Sequence, residues 1–311
     1  MAQFPELDAV RLPERPLHLA IGMFDGLHLG HHTVIDSAVQ SAKEDEGISA
    51  VLTFWPHPST LFRPEEPTRL IMSPQAKARV LARMGVEVVI TQGFTREFAQ
   101  IPAELFLTEL KRYLPHLVSV YVGENWRYGR GRVGDVALLV KEAKSLGLSV
   151  VSVPRVNFDG EPISSTRIRR LLEEGAIERA NALLGYAYFS EGKIVAGKGL
   201  GRTIGFPTLN LDWTSELAPR FGVYAVRVSR EGGPASLPGV ANYGLRPTVE
   251  NTTNPRLEVH LLGDCPIGPG DEVKVEWKRW IRPEMKFSGV EALTAQIAQD
   301  RTTAAALWAH R

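Results

Sequence analysis

The chain has 311 residues, of which 44% are hydrophobic and 23% charged, with a formal net charge of +1. That length fits two domains, each able to bury its own core, and that composition is ordinary for a globular protein. The near-zero charge leaves no global field for nucleic acid or an anionic membrane, so any bound polyanion must meet local basic residues. The single cysteine, Cys265, excludes an internal disulfide and a cysteine-based zinc cluster, and fits a reducing compartment. No run of about 18 apolar residues is present. The start, "MAQFPELDAVRLPERP", has acidic residues and no apolar core of a signal peptide. The expectation is a cytoplasmic protein without a nucleic-acid or membrane partner, with homo-oligomerisation left open.

In chain order, "LHLAIG" (17–22), "ISAVLTF" (48–54), "VEVVITQ" (86–92), "VSVYVG" (118–123) and "LSVVSV" (148–153) are short, nearly continuous apolar runs. Such runs read as strands of a parallel sheet buried on both faces. Helical patterns separate them. Val34, Ile35, Ala38, Val39 and Ala42 recur at helical spacing within 32–46, "PQAKARVLARMG" runs from Pro74 to Gly85, "PAELFLTELKRYL" follows, and "DVALLVKEAKSLG" ends at Gly147. Alternation of strand and helix predicts a doubly wound α/β domain whose ligands bind beyond the carboxyl ends of its strands. After about residue 187 the texture changes. Segments such as "YFSEGKIVAG", "GVYAVRVS", "RLEVHLLG" and "DEVKVEWKRWI" alternate with period two, which predicts an antiparallel sheet or barrel. A helix-patterned stretch, 289–308, follows them. The boundary is expected within the helical stretch 176–188.

The segment "GMFDGLHLGHH" (22–32) follows the run at 17–22 and so belongs on the ligand edge. Three readings compete there. A metal site would need acidic or cysteine partners at a zinc spacing, and none accompanies the histidines. Solvated loop histidines would be unremarkable, and His32 reads as surface. A phosphate-binding turn uses every residue: glycines admit a close anion, the next helix offers free N–H groups, and imidazoles can donate to a phosphate gaining charge. A second segment, "ISSTRIRRLLEEG" (163–175), sets hydroxyls and arginines at a helix start. That is either a plain N-cap or a phosphate clamp.

His-x-Gly-His after a strand resembles the nucleotidyltransferase superfamily. The ordered stretches "GMFDGLHLGH", "LTFWPHPSTLF", "VGENWRYGRGRVGD", "GKGLGRTIGFPTLNL", "GVANYGLRPTV", "LEVHLL" and "IRPEMKFSGVEALTAQIAQD" together resemble the bacterial bifunctional riboflavin kinase / FAD synthetase family. The resemblance runs over about residues 20–300. It implies a Rossmann-like nucleotidyltransferase domain over 1–183 and an antiparallel β-barrel riboflavin kinase domain with a terminal helix over 184–311. It further implies transfer of phosphate from ATP to riboflavin giving FMN, then of adenylate to FMN giving FAD, with Mg²⁺ as cofactor.

By this resemblance His28 and His31 hold the α-phosphate region of ATP. Gly22, Phe24, Asp25, Gly30, Asn125, Ser165, Thr166, Arg167 and Arg169 complete that nucleotide site, and Phe62 and Tyr128 border the isoalloxazine. In the second domain Gly199, Gly201, Arg202, Thr203 and Gly205 form the loop that meets ADP phosphates. Thr208 and Asn210 are the Mg²⁺ ligands, Glu258 is the base for the riboflavin 5′-hydroxyl, and Arg282 and Glu284 contact flavin. Two departures from the family pattern stand out. Trp126 and Tyr128 replace phenylalanines, and the turn "GDCPIGPGDEV" (263–273) lacks the usual tyrosine.

Overall fold

Four of the five apolar runs of the first half become the interior of one parallel sheet. The computed structural model describes residues 1–197, 200–230, 236–245 and 255–308. The chain divides into two compact units, Met1–Ser165 and Thr166–Arg311.

In the first unit the strands are β1 (Ala2–Phe4), β2 (Leu17–Ile21), β3 (Ile48–Trp55), β4 (Val88–Gly93), β5 (Leu117–Gly123) and β6 (Ser149–Val153). They lie in the order β1-β4-β3-β2-β5-β6, and every pair is parallel. Helices α1 (Leu29–Glu44), α2 (Pro58–Phe62), α3 (Pro74–Arg83), α4 (Arg96–Ala99), α5 (Phe106–Tyr113) and α6 (Val136–Ser145) make the crossovers. Local chemistry sets their starts. Ser73 accepts from the Ala76 N–H (3.2 Å) with Pro74 at the first helical position, and Asp135 accepts from the Leu138 N–H (2.9 Å). The core gathers Leu19, Ile21, Leu52, Ile90, Val120 and Val122 from β2 to β5 with Leu107, Leu110 and Leu139 from the helices.

Two expectations need correction. The run at 148–153 is not a strand buried on both faces: β6 is the sheet's edge, with Ser149, Val151 and Ser152 exposed. The strand at 17–22 is not the first in the chain either, because β1 precedes it and lies parallel to β4. Because β3 and β5 flank β2 on opposite sides, the winding direction reverses between β2 and β5. Ligand crevices of open α/β sheets form at such a switch point.

A two-stranded ribbon, β7 (Asn157–Phe158) with β8 (Glu161–Pro162), precedes α7 (Ser165–Glu174). The second unit then continues with α8 (Ile177–Leu184), β9 (Phe189–Val195), α9 (Leu200–Thr203), β10 (Leu209–Asp212), β11 (Gly222–Arg230), β12 (Leu237–Gly244), β13 (Arg256–Leu261), β14 (Glu272–Arg282) and α10 (Val290–Ala306). Its strands close into an antiparallel barrel, β10-β13-β12-β11-β14-β9. Period-two alternation sends Val273, Val275 and Trp277 of β14 inward. The Trp277 ring meets Tyr224 edge-on at 4.7 Å, and its indole N–H donates to Ser190 Oγ (2.8 Å). On the outer face α10 covers Val223, Ala225 and Val240 through Ala304, which is why β11 is buried on both sides.

Candidate active sites

The turn after β2 is built under backbone strain. Phe24, Gly26 and Leu27 all have positive φ (47°, 77° and 37°), which is uncommon for side chains larger than glycine. At Gly26 an added Cβ would also stand 2.9 Å from Ile71 Cδ1. Asp25 is buried and both carboxylate oxygens accept from the Ile71 N–H (3.0 and 3.1 Å). Its backbone carbonyl accepts from Ser165 Oγ (2.9 Å).

α1 begins at Leu29, earlier than the periodicity at 32–46 placed it, so His28 is its N-cap and His31 lies in its first turn. His28 Nδ1 accepts from the His31 N–H (3.3 Å). The capping role leaves Nδ1 without a proton, so in the neutral ring Nε2 carries it and is a donor. The two rings stack at 3.6 Å, 17° apart, and the Phe24 ring meets His31 edge-on at 5.3 Å. Burial pushes His28 down to about 4, with the charge of His32 adding to the effect. Burial, then His28, Lys77 and His32, hold His31 well below the usual imidazole value. Both imidazoles are therefore neutral near pH 7. His32 is not the surface residue expected: its Nε2 is buried, without a hydrogen-bond partner among the described residues, as is His31 Nδ1.

Beside this turn a cavity of about 720 Å³ opens along the carboxyl ends of β2 to β5. Met23 of the turn reaches it, and Phe62, Asn125 and Tyr128 line it with Phe54, Phe98 and Trp126. Phe62 is 64% exposed while Tyr128 is 5% exposed and stacked on Trp126 at 4.6 Å. The ring faces of this cleft suit a flat aromatic ligand. Asn125 is exposed on the segment after β5.

Thr166, Arg167 and Arg169 follow Ser165 on α7, in the second unit; Thr166 is exposed and the two arginines are half-buried around Ile168.

In the barrel, register brings together residues far apart in sequence. Asn210 of β10 stands directly opposite Glu258 of β13, and Glu258 stands opposite Asn242 of β12. Cross-strand partners share a face, and Leu257 and Val259 occupy the other one, buried. Glu258 is thus an outer-face carboxylate flanked by two amides. Asn210 Oδ1 is buried without a hydrogen-bond partner among the described residues, and the half-buried Thr208 precedes it by two positions. Glu284 accepts from Asn242 and from the Leu245 N–H, and desolvation nevertheless raises its carboxyl above the ordinary value.

The loop read as glycine-rich contains a helical turn, α9. There Gly201 and Phe206 approach so closely that a Cβ on Gly201 would lie 2.3 Å from the Phe206 carbonyl oxygen. Arg202, Thr203 and Gly205 continue it and are exposed, while Gly199 lies outside the described residues. Arg282 has a protein partner that its motif does not show. Its guanidinium grips the buried Asp300 of α10 through Nε (2.9 Å) and Nη2 (2.7 Å), and Nη1 donates to the Pro283 carbonyl (2.9 Å).

Sequence reasoning missed Lys77, Asn242 and most of the phenylalanines of the cleft. Lys77 left one signal, a lysine among buried helix positions Ala76, Ala78 and Leu81. Asn242 and Phe54 lie within the family-like stretches "GVANYGLRPTV" and "LTFWPHPSTLF", but only strand register and sheet assembly show what their side chains face.

A doubly wound domain with histidines at its switch point, followed by a closed barrel with an Asn–Glu–Asn row, defines a two-site protein of the nucleotidyltransferase-plus-kinase class. Comparison with known proteins agrees. Residues 12–167 match the FAD synthetase family and residues 184–308 the riboflavin kinase family. The bifunctional riboflavin kinase/FMN adenylyltransferase of Escherichia coli K12 is 36% identical over 94% of this chain and 93% of its own length. The protein of that name from Listeria monocytogenes is 36% identical over 94% and 92%, and that from Haemophilus influenzae 37% over 93% and 94%. A crystal structure titled as a macrolide-efflux protein from Streptococcus pneumoniae superposes with a TM-score of 0.88 at 28% identity, over 98% of this chain and 99% of that one. Among the described residues no helix is long and apolar enough to cross a membrane. The chain belongs to the bifunctional riboflavin kinase/FMN adenylyltransferase family.

Proposed function

We propose that residues 184–311 transfer the γ-phosphate of ATP to riboflavin, giving FMN and ADP. Residues 1–183 then transfer adenylate from a second ATP to FMN, giving FAD and pyrophosphate. The boundary rests on the start of the riboflavin kinase match at residue 184. The observation that carries the residue assignments is the pair of neutral imidazoles at the switch point, beside an aromatic cleft.

In adenylyl transfer an FMN phosphate oxygen forms a bond to the α-phosphorus of ATP as the bond to pyrophosphate breaks. A neutral imidazole with its proton on Nε2 suits this step: it donates to the phosphoryl oxygens as their charge changes and needs no proton transfer. Gly22, Phe24, Asp25 and Gly30 shape the turn under the phosphates. Asn125, Ser165, Thr166, Arg167 and Arg169 serve the nucleotide, and Phe62 and Tyr128 border the flavin ring.

In the kinase half Glu258 accepts the 5′-hydroxyl proton as the oxygen attacks phosphorus. Its outward position supports this role, because a base on the barrel's inner face could not meet a substrate. Gly199, Gly201, Arg202, Thr203 and Gly205 meet the phosphates, and Glu284 contacts the flavin. Arg282, held at the end of β14 by its pair with Asp300, contacts the flavin beside it. Mg²⁺ fits Thr208 and Asn210, whose neutral hard oxygens lie on one face and include the unpartnered Asn210 Oδ1. When bound it would offset the negative charge of the nucleotide phosphates. The small-molecule substrates and the weak net charge support a cytoplasmic enzyme that needs no nucleic acid.

Purified protein given riboflavin and Mg-ATP should yield FMN, then FAD, resolved by chromatography. His28→Ala with His31→Ala should cut FAD formation by orders of magnitude and leave FMN formation intact. Glu258→Gln should slow FMN formation roughly 10²–10⁴-fold while added FMN still becomes FAD. Equal loss of both activities in either variant would defeat the assignment.

A further inference from the structure

The first unit buries an ammonium group that the roles above do not use. Lys77 on α3 is 4% exposed. Its Nζ donates to the Met23 carbonyl (2.7 Å) and to Thr53 Oγ1 (3.1 Å), and Thr53 Oγ1 donates to the same carbonyl (3.0 Å). Both acceptors are neutral, so they satisfy donors without cancelling charge, and burying a cation in this way is costly. Asp25 attracts it, yet burial outweighs that attraction and pushes the ammonium down to about 8. Packing alone would be served by methionine or leucine.

What surrounds Lys77 supplies a reason for the charge. Met23 lies inside the strained turn, between Gly22 and Phe24. In a trans peptide the carbonyl and the next N–H point opposite ways. A Met23 carbonyl drawn toward Lys77 therefore turns the Phe24 N–H away from it. The ammonium also helps to keep His31 neutral, the state in which the imidazole can donate one hydrogen bond and accept another.

We propose that Lys77 is a positioning residue for adenylyl transfer: it fastens the turn at 22–28 through the Met23 carbonyl and sets a buried positive charge behind the bound triphosphate. This rests on the reading that the turn binds ATP phosphates. It has a consequence that a packing role lacks. A polyanion at the turn favours the protonated lysine, so above about pH 8 ATP binding takes up a proton. Among the described residues the titratable groups coupled to Lys77 are Asp25 in the turn and His31 in the first turn of α1, with His28 and His32 beside His31. Carboxylates and imidazoles ordinarily change charge well below that pH.

The test is calorimetric titration of the full-length protein with Mg-ATP at pH 8.5, without flavin, in buffers of different ionisation enthalpy. Wild type should take up a fraction of a proton. Lys77→Met, which has no charge, and Lys77→Arg, whose charge is permanent, should both lose that fraction. Lys77→Met should also lower kcat for FMN adenylylation about 100-fold, with riboflavin phosphorylation in the same sample unchanged and Lys77→Arg retaining more activity. Uptake that persists in a folded variant, or a wild type that takes up no proton, overturns the proposal; the wild-type arm decides even if neither variant folds. If adenylylation is also indifferent to the His28 and His31 substitutions, the phosphate-turn reading itself has failed. If it depends on them while the Lys77-linked proton is missing, only the role of Lys77 falls.

Discussion

His28 caps α1 with one ring nitrogen and leaves the other to donate, and both uses require an uncharged ring. Acid should therefore weaken the first unit. With the imidazole pushed down to about 4 in the folded protein against about 6.5 unfolded, the unfolded chain binds more protons between these values. Stability is complete above the unfolded pKa, falls as pH drops from about 6.5 to 4, and changes no further below that from this residue. A shift of that size corresponds to about 3 kcal/mol. Hydrogen exchange of α1 amides in the full-length protein, compared at pH 7 and pH 4.5 after correction for intrinsic rates, should show the loss. In His28→Asn, which can still cap a helix but cannot titrate, this share of the pH dependence should vanish. An unchanged slope would mean that the ring is not held neutral.

At the scale of elements, a buried ion pair ties β14 to α10. Arg282 and Asp300 keep side-chain exposures of 15% and 4%, and Gln296 also donates to Asp300 (3.0 Å). Removing one partner strands the other charge, at a cost of roughly 3–5 kcal/mol. Asp300→Ala and Arg282→Met should each lower the melting temperature of the barrel clearly, with the double variant less destabilised than the sum. If melting is unchanged in both variants, the pair does not fasten α10 to β14; the flavin contact of Arg282 shows separately, as a raised KM for riboflavin in Arg282→Met. The sequence resemblance placed Arg282 and Glu284, both in "IRPE", at the flavin. What a guanidinium grips eighteen residues away cannot be read from a motif. The same contrast runs through the fold. β2 to β5 were legible because strands covered on both faces are apolar throughout, whereas β6 has the same texture but lies at the edge, and the three residues of β1 carry no pattern at all. His28 and His31 announced themselves by spacing. Phe54 comes from β3 while Phe94, Phe98 and Phe106 come from the connection between β4 and β5, and they converge only when those two strands pair.

At the scale of the whole chain, the riboflavin kinase match starts at residue 184, but the second compact unit starts at Thr166. The difference is α7 and α8, and their contacts with the barrel say what it is worth. α8 buries Ile177, Ala180, Leu183 and Leu184. Asn181 donates to the Trp277 carbonyl (2.8 Å) and accepts from the Tyr188 N–H (2.7 Å). The Leu172 carbonyl of α7 accepts from the Arg220 N–H (3.0 Å). A fragment cut at 184 leaves these barrel groups unpaired and uncovers the apolar surface beneath, each lost hydrogen bond costing about 1 kcal/mol and each uncovered aliphatic side chain about 1.5–3 kcal/mol. At roughly 2–4 °C per kcal/mol for a unit of about this size, the several kcal/mol at stake should separate the two truncations widely in thermal unfolding. Residues 166–311 should phosphorylate riboflavin at the rate of the full chain and make no FAD. Residues 184–311 should melt more than 10 °C lower, and make FMN only below that transition. If the two fragments melt together, α7 and α8 do not belong to the kinase unit's stability. If 166–311 is folded but makes no FMN, the kinase site needs residues before 166.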